Sequence, residues 1–235
     1  MKNAIGKLIN KFRNEFKDDK IIVAISGGVD SMLVAEIALM ANCNVHFFHF
    51  HHGQGIHDDS CFTKFTKMMV RNEVSTDRYL AIFGDIKTYF DKSKGFECSA
   101  RLARYSEMRK YSDEIGSKKI LTGHNLNDQI ETIMMQITRG IPTDSIGMAK
   151  ITHFRNTMTV YRPLLDMSKS EIYKIADALG LDWHEDETNT DTTVERNMWR
   201  NDIIPELMKR RNILKTIPNS FNLKDEITVN SDLFE

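Results

Sequence analysis

The chain has 235 residues, 41% of them hydrophobic and 28% charged, with a formal net charge of −1. That length suffices for one large domain with a full core, and the near-neutral balance excludes a polyanion signal spread over the whole chain, so any basic surface must be local. The cysteines Cys43, Cys61 and Cys98 form no Cys-x-x-Cys pair, which argues against a disulfide framework or structural zinc. They suit a reducing compartment, and without a signal peptide or an apolar run near the roughly 20 residues of a membrane span the expected location is the cytoplasm.

Apolar positions at Ile5, Leu8, Ile9, Phe12 and Phe16 predict an N-terminal helix over 1–17. A buried strand follows at 21–25, then the turn Ser26-Gly27-Gly28-Val29-Asp30-Ser31 and a helix over about 30–41. The run Val45–Phe50 reads as a second strand, leading into the His51-His52-Gly53-Gln54-Gly55 turn. Next come a helix over about 59–72, a strand at 78–83, a long helix over 98–115, a strand at 119–122 and a helix over 126–138. Strands alternating with helices at this pitch predict an α/β fold, a doubly wound parallel sheet with helices on both faces. The segment 160–165 reads as a strand ending at Pro163, and Ser168-Lys169-Ser170-Glu171 as the capped start of a helix closed by Gly180. A polar stretch, 184–191, precedes a last helix over about 195–209. The expected division is a catalytic domain over 1–215, with its sheet core over about 20–165 and a substrate-loop and helix segment over 166–215. Residues 216–235 read as a flexible acidic tail.

The turn at Ser26–Ser31 carries the most chemistry. A strand that passes through two glycines into a helix N-terminus presents unpaired N–H groups and a helix dipole to an anion. Gly27 and Gly28 let the backbone approach phosphate oxygens, Ser26 and Ser31 add hydroxyls, and Asp30 is placed to hold a divalent cation. The turn has neither the Lys-Ser/Thr ending of the Walker-type loop nor the dinucleotide glycine pattern. A second polar edge follows the strand at 119–122: Gly123, His124, and then Asp128 and Glu131, three apart on one helix face and suited to a metal or an amine. His49, His51 and His52 lack a persuasive further zinc ligand and suit a nucleotide base better. Arg101 and Arg104 lie one turn apart, as do Arg196 and Arg200, and Lys209-Arg210-Arg211 with Lys215 forms the densest basic stretch, a candidate phosphate-backbone contact. The 13 methionines read as core.

The Ser-Gly-Gly-x-Asp-Ser loop resembles the signature of PP-loop ATP pyrophosphatases. With His49-Phe50-His51-His52-Gly53, Glu97–Tyr105, Gly123–Thr132, Arg139-Gly140, Tyr161–Leu165 and Glu185–Asn197, in order and spacing, the chain over about 20–210 resembles the tRNA(Ile)-lysidine synthases. The resemblance implies ATP and Mg²⁺ as cofactors, an isoleucine tRNA met at its anticodon loop, and free L-lysine whose ε-amine displaces AMP from an adenylated wobble cytosine. It implies that Ser26, Gly27, Gly28, Asp30, Ser31, His51 and Gly123 bind the nucleotide, with Asp30 and Asp128 near the metal. It further implies that Asp128 and Glu131 face the lysine amine, and that Arg104, Arg196 and Arg200 meet its carboxylate, the phosphates or the RNA. His124 would polarise the reacting group.

Two departures stand out. The family's usual His-His-x-Asp-Asp is here His124-Asn125-Leu126-Asn127-Asp128, one imidazole and one carboxylate fewer. Family members also generally carry further C-terminal tRNA-gripping domains, so a short form is expected, with a second copy of the chain or another subunit as a source of tRNA contacts. The alternatives are a PP-loop tRNA thiolase and a non-catalytic, nucleotide-dependent RNA-binding decoy.

Overall fold

The structure is a computed structural model that describes residues 2–51, 56–83, 95–155, 157–185 and 187–230. Its described residues form one seven-stranded sheet in the order β3-β2-β1-β4-β6-β5-β7. The strands are β1 (Lys20–Ile25), β2 (Asn44–His51), β3 (Tyr79–Phe83), β4 (Lys119–Leu121), β5 (Ile151–Phe154), β6 (Met158–Tyr161) and β7 (Glu226–Val229). Strands β1 to β4 and β6 run parallel, whereas β5 pairs antiparallel to β6. The helices are α1 (Lys2–Phe16), α2 (Val29–Met40), α3 (Ile56–Arg71), α4 (Gly95–Ile115), α5 (Leu126–Thr138) and α6 (Lys169–Ala178). They continue with α7 (Glu195–Met198), a π-helical turn at Trp199–Ile203, α8 (Ile204–Arg210) and α9 (Ile213–Ser220).

Side chains alternate across a strand, and β1 shows the consequence. Ile21, Val23 and Ile25 pack with Phe12 and Phe16 of α1, Leu33 and Ile37 of α2, Phe65 of α3 and Ile172 of α6. Ile22 faces the other way, against Ala103, Met108 and Tyr111 of α4. β1 is therefore buried on both faces, which is why its five residues from Ile21 to Ile25 read as an unbroken apolar run. A smaller third cluster joins Ile130 of α5 to Trp199, Ile204 and Ile213.

The doubly wound α/β reading holds, with four corrections. The strand expected at 160–165 is β6, which ends at Tyr161, one residue before the Arg162-Pro163 pair, because the residue before a proline and the proline's missing N–H disfavour further pairing. Its partner β5 was not expected at all. The last helix ends at Arg210, near the expected 209, but is interrupted by the π turn at Trp199–Ile203. The tail is structured as far as residue 230: α9 continues to Ser220, and β7 pairs with β5 from Ile151↔Glu226 to Phe154↔Val229, closing the sheet edge. Residues 231–235 lie outside the described residues.

The strand order reverses between β1, whose chain moves outward to β2, and β4 on its other side. In open α/β sheets a ligand crevice forms at the carboxyl ends of such a pair. The Ser26–Ser31 loop leaves β1 there, and Thr122–Asn125 leaves β4 beside it.

Candidate functional site

The loop after β1 is shaped by close approach. Gly27 has φ +80°, and a Cβ there would lie 2.4 Å from Cys61 Cβ and 2.7 Å from its Cα, so only glycine fits. Gly123 is equally constrained: its Cβ would sit 2.8 Å from Ser31 N and 2.9 Å from the Asp30 carbonyl carbon. The missing side chain lets the β4 loop lie directly on the first turn of α2. Ser31 Oγ accepts from Ser26 N at 3.1 Å and donates to the Gly28 carbonyl at 3.0 Å, and the Ser26 and Ser31 hydroxyls are 3.1 Å apart. His184 N donates to the Gly27 carbonyl at 3.0 Å, tying the polar stretch after β6 to the loop.

Asp30, in the first turn of α2, is clamped from two elements. Asn125 Nδ2 donates to its Oδ1 at 3.0 Å and Lys169 Nζ to its Oδ2 at 2.6 Å. Burial raises its pKa, Lys169 opposes that rise, and the negative charge of Asp128 adds to it. Asn125 caps α5 in a reciprocal box: its Oδ1 accepts from the N–H groups of Asn127 and Asp128, while Asp128 Oδ2 accepts from Asn125 N. Asn127 Oδ1 in turn accepts from Lys169 N at 3.0 Å.

One turn further along α5, Glu131 is almost fully buried and both of its oxygens are taken. Arg200 holds it bidentately, Nε to Oε1 at 2.8 Å and Nη2 to Oε2 at 2.8 Å, and Arg196 Nε reaches Oε2 at 2.8 Å. The two guanidiniums also approach Asp128 Oδ1 at 3.4 and 3.3 Å. Burial opposes the charge on Arg200, but Glu131, Asp128 and Asp30 outweigh it and raise its pKa. Two acids and two arginines thus form a charge-balanced cluster, with Arg200 inside the π turn, a geometry that recurs at functional sites. Its Nη1 also donates to Asn189 Oδ1 at 3.0 Å.

Loop and cluster open on one cleft of about 470 Å³, lined by Ser26, Gly28, Asp30, Asn125, Asp128, Glu131, Lys169, Tyr173, Glu185 and Arg200 among others. Tyr173 OH and Trp183 Nε1 both donate to Glu185 Oε1, at 2.8 and 2.9 Å, on its rim.

The expected site residues are therefore brought together unevenly. Ser26, Gly28, Asp30, Asp128, Glu131 and Arg200 share the cleft, and Arg196 joins through the acids it holds. Glu131, expected to face an amine, instead anchors two arginines. His124 is not among the cleft-lining residues: its Nδ1 lies 2.9 Å from Thr122 Oγ1, and burial together with the charges of Arg162, Arg196, Arg104 and Arg101 pushes its pKa well below 6.5, leaving a neutral ring. Arg104 lies on α4 over the Tyr105 ring, 5.9 Å from its centroid, and its field reaches His124. His49 Nδ1 is bonded to the Ile25 carbonyl at 2.9 Å, inside the sheet. His51 ends β2, paired in register with Phe83, and its side chain, like that of Cys98 and the whole of His52, lies outside the described residues. Lys169 and Tyr173 carry no functional signal in the sequence beyond the capping pattern at Ser168; Asn125 and Asn127 stand out there only as departures from the family pattern, and Glu185 only as the start of a matching motif.

Among the described residues no group of three or more His, Cys, Asp or Glu is arranged to hold a metal. Asp30 and Asp128 both line the cleft and offer carboxylate oxygens, the hard donors that a divalent cation takes, and those oxygens are engaged here by Asn125, Lys169, Arg196 and Arg200. No described helix is long and apolar enough to cross a membrane.

A family profile described as "PP-loop domain" matches residues 1–207. The tRNA(Ile)-lysidine synthase of Haemophilus ducreyi is 31% identical over 209 residues, 86% of this chain and 46% of that protein. The tRNA(Ile)-lysidine synthase of Symbiobacterium thermophilum is 34% identical over 200 residues, 82% of this chain and 40% of that protein. The chain thus spans about half the length of the curated relatives it matches, or less. Among solved structures, the U34-tRNA thiolase NcsA from Methanococcus maripaludis, with its [4Fe-4S] cluster, superposes with a TM-score of 0.67 at 17% identity, covering 92% of this chain and 77% of that one. The NH3-dependent NAD synthetase of Campylobacter jejuni does so with 0.55 at 16%, covering 93% and 92%. At such identities these likenesses concern the fold alone.

Proposed function

Because this chain belongs to the PP-loop domain family, we propose that it is an ATP-dependent tRNA-modifying ligase that attaches lysine to the wobble cytosine of a CAU-anticodon isoleucine tRNA. The observation that carries the reading is the single cleft on which a phosphate-type loop and a cluster of two acids and two arginines both open. That arrangement suits a nucleotide on one side and an amino acid on the other. The identities of about 30% to lysidine synthases support the choice of amine and RNA.

In the proposed reaction the cytosine carbonyl oxygen attacks the α-phosphorus of ATP and pyrophosphate leaves. The lysine ε-amine then attacks the activated ring carbon, loses a proton, and AMP departs. Both steps demand positioning and charge neutralisation more than covalent catalysis. The N–H groups at the start of α2 and the Ser26 hydroxyl receive phosphate oxygens. Asp30 and Asp128 would hold Mg²⁺, which when bound supplies neutralising charge. Arg196 and Arg200, fixed in place by Glu131, meet the lysine carboxylate, while Asp128, less buried than Glu131 and bound only at longer range by the arginines, receives an amine. The neutral ring of His124 behind the loop favours a hydrogen-bonding over an acid role.

The deciding experiment incubates the purified chain with ATP, Mg²⁺, labelled lysine and a CAU-anticodon tRNA. Label on the tRNA with release of AMP and pyrophosphate is expected. Pyrophosphate release that requires a sulfur donor would turn the assignment to a thiolase, and ATP binding without turnover on any RNA to a non-catalytic binder.

A further inference from the structure

We infer that Lys169 is a phosphate-binding residue of the cleft, stored on Asp30 in the nucleotide-free protein and transferred to the phosphate chain when ATP enters. The inference rests on the ATP reading above and assigns a residue to that site. Lys169 is the first residue of α6, behind the Ser168 cap, and its N–H is fixed by Asn127 Oδ1. The base of the side chain is therefore anchored to the start of α5. Its ammonium is 2.6 Å from Asp30 Oδ2 and 5.2 Å from the Tyr173 ring centroid, on the cleft wall and 30% exposed.

The electrostatics make that position consequential. A carboxylate in the first turn of a phosphate-binding helix repels the anion the loop is built to receive, unless a cation lies between them. Lys169 is such a cation: a compact charge with three donors on a flexible stem, able to turn from a carboxylate to a phosphate without moving its backbone. Glu185 is already held by Tyr173 and Trp183, and Glu131 by two arginines, so neither competes for the ammonium. The amides matter as well. Asn125 donates to the other oxygen of Asp30, and Asn127 accepts from Lys169 N without adding a negative charge beside it. An aspartate at 127 would place a second anion beside Lys169. The amide leaves the charge of Lys169 available to phosphate.

The test is titration calorimetry of ATP and AMP against the wild-type chain and the K169M, K169R and D30N variants, each in EDTA and in Mg²⁺, with thermal midpoints recorded alongside. In EDTA, K169M should weaken ATP by about tenfold or more and AMP by less than about threefold, while K169R keeps ATP within about threefold of wild type. D30N should tighten ATP in EDTA, and tighten it more when Lys169 is present than in the D30N/K169M double variant. The proposal is overturned if K169M and wild type bind ATP alike while the K169M midpoint falls, since the ion pair would then be structural only. It is equally overturned if K169R behaves as K169M in binding with an unchanged midpoint. Absence of ATP binding by the wild-type chain in Mg²⁺ would instead defeat the ATP reading itself.

Discussion

The loop at Ser26–Ser31 and the ion cluster on α5 face each other across one cleft, yet different forces hold them. The loop is a backbone structure: a left-handed glycine against Cys61, a bare glycine at 123 beneath Asp30 and Ser31, and serines bonded to the loop itself. The cluster is a side-chain structure, two acids of α5 closed by arginines 65 to 72 residues downstream, with every Glu131 oxygen bonded. Backbone shape presents neutral donors that can receive a charge without first giving one up. A closed ion cluster stores charge already paired, so a substrate must exchange partners to enter it. Lys169 and Asp30 bring that second mode into the first region.

The sharpest way to break the comparison is Glu131→Gln. Removing one charge from a buried pair leaves the other uncompensated, and such cuts cost about 3–5 kcal/mol. The arginines are about a third exposed, which favours the lower end of that range. Urea unfolding at pH 7 should show the loss. A change under about 1 kcal/mol would mean that water solvates both guanidiniums and that the cluster is not structural.

On the loop side, Gly27→Ala should cost about 3 kcal/mol, because a Cβ must displace Cys61, its backbone included, in a conformation that side chains rarely adopt. The comparison also requires a qualitative difference: ATP affinity should fall with Gly27→Ala beyond what the unfolding loss explains, since the donors of the loop are moved. Intact affinity at reduced stability would show that the phosphate donors lie elsewhere.

The hinge between the regions is Asn125, which caps α5 and holds Asp30. Asn125→Ala should cost about 1 kcal/mol for the lost cap, with a further effect on Asp30 visible as altered ATP affinity in EDTA. Stability lost without any change in affinity would separate the cap from the site.

These differences also explain what could be read from the chain before folding. The loop was legible because Ser26–Ser31 is contiguous and follows an apolar strand. Asp128 with Glu131, and Arg196 with Arg200, were legible as helix-face pairs, but not that the pairs would meet. Their meeting depends on the π turn at Trp199–Ile203 and on the packing of Trp199 and Ile204 against Ile130, neither of which has a local signal. Lys169 is 139 residues from Asp30 and sits in a helix-start pattern that also describes any solvated lysine. Strands β5 and β7 escaped for a related reason. Each has four residues, β7 alternates exposed and half-buried positions, and the acids Asp225 and Glu226 resemble a tail until Ile151 N bonds the Asp225 carbonyl.

His124 gives the smallest effect and tests whether charge behind the loop is as tightly controlled as charge in the cluster. Burial comes first among the causes that depress its pKa, followed by Arg162, Arg196, Arg104 and Arg101, so the folded chain keeps the ring neutral where the unfolded chain, near 6.5, takes up a proton. The sign follows: above about 6.5 both states are neutral and His124 contributes no slope, whereas below it the unfolded state binds more protons and stability falls until the depressed folded pKa is reached. The slope from one group is at most about 1.4 kcal/mol per pH unit. His124→Gln can still bond Thr122 and cannot titrate, so between pH 7.5 and 5.5 its unfolding free energy should decline less than that of wild type. Equal declines would mean that the ring is protonated in the fold despite four guanidiniums. His124 would then be an acid at the back of the loop, and the neutral-donor description of that side of the cleft would fail.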